Sequence, residues 1–340
     1  MLYVGLDVHK EFCQASVLNE KGFEEDNLRF PTTQRGLESF LDRFEDASFV
    51  LESTGVWEFV YEIIEEKGFP VKLAHPLKVR AIAEASVKTD KVDARTLAKL
   101  LRLDMVPESF VPSKDIRDLR RLTRLRSYLT QTNTGLKNRT HAELLARGIR
   151  RPDDLLKPFT QKSNEWMRSL DILAVDVQLN MVEAVQGQIS LINEMIRSEY
   201  DRREEVRNLT SIPGIGIYSA LVIFAEIGDV RRFPDPEHLC SYAGLTPTVS
   251  QSASTVHYGG ISKEGSKQLR WILTEAVHSH RRFEPGSNLS RFHDRIAKKR
   301  GKQKAAMAAA RKLLHIIYWM MLTGEAYHSH GFNPGLKPAA

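Results

Sequence analysis

The hydrophobic periodicity of this 340-residue chain changes near residue 113, and that change constrains its fold more than any other feature. Upstream, short apolar runs alternate with amphipathic stretches, which predicts elements in the order β-β-β-α-β-α-β-α. The mixed order predicts an α/β layer built on a sheet. The predicted strands cover 2–8, 14–18, 27–30, 48–52 and 70–74, and the predicted helices cover 36–44, 56–67 and 90–103.

Long helical periodicity replaces the strand patterns from about 113 to 208. One apolar series has 3-4-7 spacing and a later one has 3-4-3-4 spacing, as in a coiled-coil seam. These series are Leu122, Leu125, Leu129, Leu136 and then Val182, Val185, Ile189, Ile192, Ile196. Two long helices are therefore predicted to pack together or against another subunit, with the proline-containing segment 150–158 as the turn region.

A compact helical region begins near Leu209. Its segment 247–265 is rich in Ser, Thr and Gly, which predicts a loop or short hairpin before a helix that begins near Ser266. The predicted domains are thus an α/β domain over 1–110, a helical coiled-coil region over 111–207 and a helical C-terminal domain over 208–330.

Composition limits the function classes. The 49 Lys and Arg against 43 Asp and Glu give a net charge of +6, which is compatible with a polyanionic partner. Cys13 and Cys240 lie in unrelated contexts, so neither a disulfide framework nor a cysteine zinc site is indicated. The chain starts without a signal-peptide pattern and contains no apolar run approaching the roughly 20 residues that span a bilayer. We therefore expect a cytoplasmic protein without a membrane partner.

Four carboxylates occupy strand ends and a helix start, which are common positions for catalytic residues. Asp7 and Glu52 each end an apolar strand, whereas Asp90 and Asp93 are three residues apart at the start of a predicted helix and share a face. If they converge, a cation must neutralise them, and oxygen ligands suit Mg²⁺ or Mn²⁺. The alternative is structural: Asp is common in the first turn of a helix, and strand-end carboxylates are often solvated turn residues.

Three segments resemble the DEDD signature of the IS-one-ten family of insertion-sequence transposases, also called bridge recombinases and similar to the Piv-type DNA invertases. They are GLDVHK at 5–10, LESTG at 51–55 and KTDKVDARTLA at 88–98. The resemblance implies a RuvC-like, RNase H-type fold for the N-terminal domain. The metal ligands it implies are Asp7, Glu52, Asp90 and Asp93.

The resemblance continues downstream to about Arg282. The segment LTSIPGIGIYSALVIFAEIGDVRRF at 209–233 is similar to the family's second domain and its helix-hairpin-helix element. Gly214 and Gly216 would then let backbone N–H groups at a helix start approach a phosphate. The alternative is that the Pro-Gly-x-Gly turn only connects two helices.

A serine nucleophile is implied by the segment 240–273, in which the family's serine falls on Ser252. Attack by a serine on phosphorus gives a covalent link that conserves the phosphodiester bond energy. Family members usually have Gly after this serine, whereas this chain has Ala253. Ser250 and Ser254 are therefore the alternative nucleophiles, each two residues away.

Basic residues on two segments are candidate nucleic-acid contacts, although surface cations are also compatible with simple solvation. One group follows the proposed nucleophile and the other begins the long helical region. The candidates are Lys263, Lys267, Arg270 and Arg120, Arg121, Arg124.

The resemblance implies a transposase that cuts and rejoins donor and target DNA through a Mg²⁺-bound DEDD site and a phosphoserine intermediate. It also implies a homo-oligomer, either a dimer or a tetramer, and a bridge RNA that selects both DNA partners by base pairing. Two alternatives remain at this point. One is a RuvC-like junction nuclease that uses metal-activated water, and the other is a non-catalytic nucleic-acid-binding protein.

Overall fold

A computed structural model describes residues 1–53, 55–82, 89–252 and 255–328, with the backbone alone at 249–252 and 255–258. The chain divides into two compact units, Met1–Val111 and a second unit that begins at Pro112. Each unit is built around its own apolar core.

A five-stranded mixed sheet forms the centre of the first unit, in the order β3-β2-β1-β4-β5. The first three strands are antiparallel, and β1, β4 and β5 run parallel to one another. The predicted β-β-β-α-β order is confirmed. The strands are β1 Leu2–Val8, β2 Phe12–Leu18, β3 Glu24–Pro31, β4 Ala47–Glu52 and β5 Val71–Ala74; the helices are α1 Gln34–Leu41, α2 Trp57–Glu66, α3 Pro76–Ile82 and α4 Asp90–Arg102.

Side-chain alternation along the strands divides this sheet into two faces. Leu6 and Leu51 belong to the core that α1 and α2 cover. Val50 and Ala74 lie on the opposite face and pack with Leu97 of α4. Both central strands are therefore covered on both sides, which explains their nearly continuous apolar sequences.

The short helix α3 was missed by the sequence prediction. Among its seven residues only Val79 is buried, so it has no repeating apolar stripe by which a helix is recognised. Pro76 occupies its first position, where the fixed φ of proline favours a helix start.

The described part of the second unit is helical apart from one antiparallel hairpin, formed by β6 and β7. This hairpin occupies the segment predicted as a loop or short hairpin. Two short 3-10 turns, Asn208–Ser211 and Val230–Arg232, connect helices. The elements are α5 Lys114–Ala146, α6 Gln161–Arg168, α7 Leu173–Arg202, α8 Glu204–Arg207, α9 Ile217–Ile227, α10 Pro236–Tyr242, β6 Pro247–Ser252, β7 Thr255–Ile261, α11 Lys267–Phe283, α12 Asn288–Arg300 and α13 Lys302–Thr323.

The two long helices α5 and α7 pack as an antiparallel hairpin. An ion pair of 2.6 Å joins Asp115 at the start of α5 to Arg203 just after α7, and Leu144 near the end of α5 packs on Val175 near the start of α7. The predicted seam residues Val182, Ile192 and Ile196 are buried.

One residue of the predicted α5 seam faces solvent, because Leu125 is 47% exposed. The predicted Leu136 is buried, and Leu122 and Leu129 pack against the core. The buried face of α5 also includes Thr123 and Ser127, which are polar and therefore do not appear in an apolar periodicity.

The core of the second unit surrounds α9, which buries seven of its eleven residues. Helix α13 contributes a long buried series to the same core, including Leu313 and Ile317. Ser266 caps α11, because its hydroxyl accepts a hydrogen bond from the Leu269 N–H, in agreement with the helix start predicted there. Within the described residues, no helix combines the length and apolar character needed to cross a membrane.

Candidate active site

Asp7 and Glu52 lie at the carboxyl ends of neighbouring parallel strands. Leu6 of β1 is the register partner of Leu51 of β4, so the two acidic residues follow at equivalent positions. Since side chains alternate along a strand, both fall on the face that carries Gly5 and Val50. This is the face that α4 covers.

Gly5 allows α4 to approach β1 closely. A Cβ atom on Gly5 would lie 2.1 Å from the Ala94 carbonyl oxygen and 2.5 Å from the Ala98 nitrogen. Asp90 lies one helical turn before Ala94, and Asp7 lies two strand residues after Gly5, in the same direction along the sheet. The close approach therefore brings the first turn of α4 beside Asp7. The apolar pattern of β1 does not indicate this contact, although a glycine inside a strand often marks such a close approach.

His9 lies beside two of these carboxylates, although it is not among the metal ligands predicted from the sequence. Its Nε2 lies 3.1 Å from Asp7 Oδ2 and 3.5 Å from Asp90 Oδ1. One ligand atom from each of these three residues lies within 4.8 Å of the other two, which is compact enough to hold a metal ion. His9 follows Asp7 by two residues, and this period-two spacing could have identified it.

The remaining predicted ligands border this group. Asp93 lies in the first turn of α4 and is close enough for its charge to act on Asp7. Glu52 is half-buried at the end of β4. Burial raises the pKa of Asp7, the charges of Asp90 and Asp93 raise it further, and His9 opposes the shift. The folded chain therefore concentrates negative charge here.

A cationic side chain and an aromatic ring support this cluster. Arg29 Nη2 lies 3.3 Å from Asp90 Oδ2, while its guanidinium carbon lies 3.8 Å from the centre of the Phe12 ring. The His9 ring also packs on Phe12, with 4.6 Å between ring centres. Phe12 thus holds both the imidazole and the guanidinium in place.

The donor set fits a divalent cation. Carboxylate oxygens are the ligands that Mg²⁺ and Mn²⁺ prefer, and an imidazole nitrogen is a common ligand for transition-metal ions. Like charges gathered around a partly desolvated Asp7 need a counter-charge, which the single arginine on Asp90 supplies only in part.

Ser252 is the last residue of β6, paired with Thr255 of β7 at the end of the hairpin. Ser250 lies two residues earlier and pairs with His257. Ser254, the other alternative nucleophile, lies outside the described residues. The carboxylates and Ser252 belong to different compact units.

The two glycines of the PGIG turn have different surroundings. Gly214 has φ +93°, and a Cβ there would lie 2.5 Å from the His280 nitrogen of α11. The missing side chain of Gly214 therefore permits close packing against α11, and its predicted approach to a phosphate stays a prediction. Gly216 is exposed at the N-cap of α9, with open space where a Cβ would stand.

Three arginines predicted as nucleic-acid contacts bind the protein itself. Arg120 donates hydrogen bonds of 2.6 and 2.8 Å to the carbonyls of Ala225 and Glu226 at the end of α9. Arg124 forms two bonds, of 2.9 and 3.0 Å, to the buried Glu226 carboxylate. Arg270 donates to the Ala243 carbonyl at 2.9 Å. These contacts give the three arginines a structural role, because carbonyls at a helix end and buried carboxylates attract cations as phosphates do; nucleic-acid binding by them stays a prediction.

The other three predicted contacts lie at the surface. Lys263 and Lys267 are exposed just before and at the start of α11. Arg121 is also exposed and pairs with Asp118 at 2.7 Å on the same helix. Nucleic-acid binding by these three residues stays a prediction.

Two family models match the chain. A DEDD transposase model matches residues 4–149, which contain the carboxylate cluster. A second model, for the transposase IS116/IS110/IS902 family, matches residues 206–294, which contain Ser252.

Individual relatives match over nearly the full length of both chains. A transposase for insertion sequence element IS1111A from Coxiella burnetii is 26% identical, covering 95% of this chain and 90% of the relative. An uncharacterized protein of insertion element IS110 from Streptomyces coelicolor is 24% identical, covering 96% of each. A pilin gene-inverting protein from Moraxella bovis is 26% identical, covering 93% of this chain and 94% of the relative. The chain therefore belongs to the IS110/IS116 family of transposases, enzymes that act on DNA.

Proposed function

We propose that this transposase cuts and rejoins DNA with a metal-bound DEDD site and a serine nucleophile, through a phosphoserine intermediate. The observation that carries the proposal is the convergence of Asp7 and Asp90, with Asp93 beside them, where β1 meets α4. The mixed sheet, with acidic residues ending its two central parallel strands, supports a RuvC-like, RNase H-type assignment.

The carboxylates are the proposed ligands of Mg²⁺ or Mn²⁺. A bound divalent cation supplies positive charge beside the scissile phosphodiester and polarises its oxygens. Asp7 and Glu52 would contribute from two strand ends, and Asp90 and Asp93 from one helix turn, so three rigid elements hold the four carboxylates. Such support fixes ligand positions before DNA arrives, which favours catalysis by orientation.

Ser252 is the proposed nucleophile. Its Oγ attacks the phosphorus, an Oγ–P bond forms, and the bond from phosphorus to the leaving sugar oxygen breaks. The hydroxyl proton passes to a carboxylate base, and the leaving oxygen takes up a proton. A hydroxyl of the second DNA strand then attacks the phosphoserine and releases Ser252, so rejoining needs no ATP.

The helical unit is the proposed platform for DNA and RNA. Gly216 is exposed at the start of α9, where its backbone would approach a phosphate if α9 is part of a helix-hairpin-helix element. Lys263, Lys267 and Arg121 are exposed cations suited to phosphate contacts. The resemblance of the sequence motifs to bridge recombinases is the ground for proposing a bridge RNA as guide.

A homo-oligomer is proposed on the surface of α7. Five exposed apolar side chains of this helix fall within an arc of about 80°, at about 100° per residue. They are Leu173, Val177, Met181, Leu191 and Met195. An apolar stripe of this length is typical of an interface between subunits. In a dimer or tetramer, Ser252 of one subunit would act with the carboxylates of another.

The dependence of strand cleavage on the carboxylates tests the metal site. With Mg²⁺, the wild-type protein should cleave donor DNA in the presence of its flanking-element RNA, and EDTA should abolish cleavage. Asp90→Asn should reduce the rate by at least about 100-fold, because removal of one metal ligand misplaces the phosphate. Asp118→Asn, on the surface of α5, is the control. Equal rates for Asp90→Asn and wild type would refute the proposed site.

A further inference from the structure

A cavity of about 280 Å³ opens at the end of the α5–α7 hairpin. It lies between the last turns of α5, the loop that follows, and α6. Leu144 and Met167, both buried, line its inner part, and Trp166 also lines it. The residues of the carboxylate cluster and the serine hairpin lie elsewhere in the chain, so the cavity is a separate feature.

One of the cavity-lining residues, Ser163, carries a buried hydroxyl without a hydrogen-bond partner among the described residues. Ser163 is only 1% exposed, and its Oγ forms no hydrogen bond within the described part of the chain. Its backbone N–H is satisfied by the Thr160 hydroxyl at 3.3 Å. A helical serine usually bonds the carbonyl four residues earlier, but here that residue is Phe159, which precedes the helix. A polar ligand atom inside the cavity would complete the hydrogen bonding of Ser163.

Positive charge lines the opening. Arg150 and Arg151 both line the cavity and are exposed, and neither forms a salt bridge with a carboxylate among the described residues. None of the cavity-lining residues is acidic. The combination of an apolar interior and unneutralised guanidinium groups selects a ligand with a flat apolar part and an anionic part.

The size of the cavity limits that ligand to one ring system. Pockets for small molecules usually begin at about 300 Å³, so this one has room for a single base and no extended ligand. Proteins that bind single-stranded nucleic acid commonly place a base on an aromatic ring and the backbone on cations. The cavity offers these groups in Trp166, Ser163 and the two arginines. A nucleotide is a suitable ligand because a transposase acts on nucleic acid.

We propose that this cavity binds one unpaired nucleotide of a single-stranded segment. The base packs on Trp166, a polar atom of its edge bonds Ser163 Oγ, and the adjoining phosphate pairs with Arg150 and Arg151. The proposal goes beyond the cleavage chemistry, because it needs neither the carboxylates nor Ser252.

Photocrosslinking reports on this cavity directly. The full chain would be irradiated with short single strands carrying one 5-iodouracil, as RNA and as DNA in separate samples, and the crosslinked residue mapped by mass spectrometry. We expect a crosslink at Trp166 in both wild type and Asp7→Asn. A stronger RNA signal identifies RNA as the source of the nucleotide, and a stronger DNA signal identifies DNA. Absence of a Trp166 crosslink with both would overturn the proposal, whatever the cleavage activity.

Two sets of variants separate binding from folding. The double variant Arg150→Gln, Arg151→Gln should reduce the Trp166 crosslink about tenfold, whereas Arg197→Gln, an exposed arginine on α7, should leave it unchanged. Ser163→Ala should maintain or raise Tm, because it removes an unpaired buried hydroxyl, and yet weaken the crosslink. Unchanged crosslinking in both the double variant and Ser163→Ala would show that the cavity is only a packing defect.

Discussion

Gly5 has no functional group, yet its missing side chain determines where the carboxylates of the site meet. The backbone of α4 passes so close to β1 that a methyl group on Gly5 would overlap the Ala94 carbonyl. The apolar run around Gly5 predicts a strand but not this contact. The sequence therefore identifies Asp7 and Asp90 as candidate ligands. Their proximity depends on the packing of α4 against β1, two elements that are far apart in the chain.

Gly5→Ala should displace α4 and weaken the metal site. We expect a loss of about 1–3 kcal/mol in the free energy of unfolding, because the Cβ meets backbone atoms that cannot rotate away. Denaturant titration and Mn²⁺ binding measure the two effects. Gly187→Ala is the matched control, since Gly187 lies exposed in α7 with open space around it and should gain up to about 1 kcal/mol. Equal stability of the two variants would contradict the account.

Asp7→Asn should have opposite effects on stability with and without metal. Burial, together with Asp90 and Asp93, raises the Asp7 pKa, so ionised Asp7 is less favourable in the folded chain than in the unfolded chain. Its unfavourable contribution therefore develops as the pH rises from the ordinary pKa of 3.8 through the raised value. In EDTA at neutral pH, Asp7→Asn should have the higher Tm, and the difference should vanish below about pH 3.8.

In the presence of metal, wild type should have the higher Tm. A cation that binds only the folded wild type stabilises it by about 2.7 kcal/mol at 100 times Kd, and the Asn variant should gain much less. Thermal unfolding with and without Mn²⁺ measures the difference in Tm between Asp7→Asn and wild type under both conditions. If Asp7→Asn is less stable than wild type in EDTA at pH 7, then neither burial nor the charges of Asp90 and Asp93 make ionised Asp7 unfavourable in the folded chain.

At the level of elements, α9 supplies protein partners for two arginines that the sequence predicts as nucleic-acid contacts. Arg120 and Arg124 form part of a basic run that predicts phosphate binding. The sequence gives no sign that α5 passes the end of α9, where Arg120 binds two carbonyls and Arg124 binds a carboxylate. In contrast, the predicted strands of the first unit are confirmed, because alternation and apolar content are local properties.

Arg124→Met should destabilise the second unit. Glu226 is 1% exposed, and without Arg124 its carboxylate would retain only the Ser266 hydroxyl, at 2.9 Å, among its described side-chain partners. We expect a loss of about 2–4 kcal/mol, below the upper limit for a buried pair because Arg124 is half exposed. Arg121→Met, three residues earlier in an exposed pair, should change stability by less than about 1 kcal/mol. Similar losses in both variants, measured by urea unfolding, would contradict this assignment.

At the scale of the whole molecule, the proposed catalytic residues are distributed over two compact units. The DEDD carboxylates belong to Met1–Val111, and the serine-bearing hairpin belongs to the unit that begins at Pro112. Motif order along the chain predicts both regions, because each motif is short and local. Hydrophobic patterning could not reveal His9 and Arg29 as neighbours of Asp90, since these contacts join separate elements.

A covalent protein–DNA adduct is the most direct test of the central claim, that the carboxylates and Ser252 act in one reaction. Purified protein, its flanking-element RNA, donor and target DNA and Mg²⁺ would be mixed, and adducts resolved on denaturing gels. The account predicts an adduct in wild type and in Ser254→Ala, and none in Ser252→Ala or Asp7→Asn. Metal-dependent cleavage without an adduct in any variant would contradict it and identify a hydrolytic nuclease.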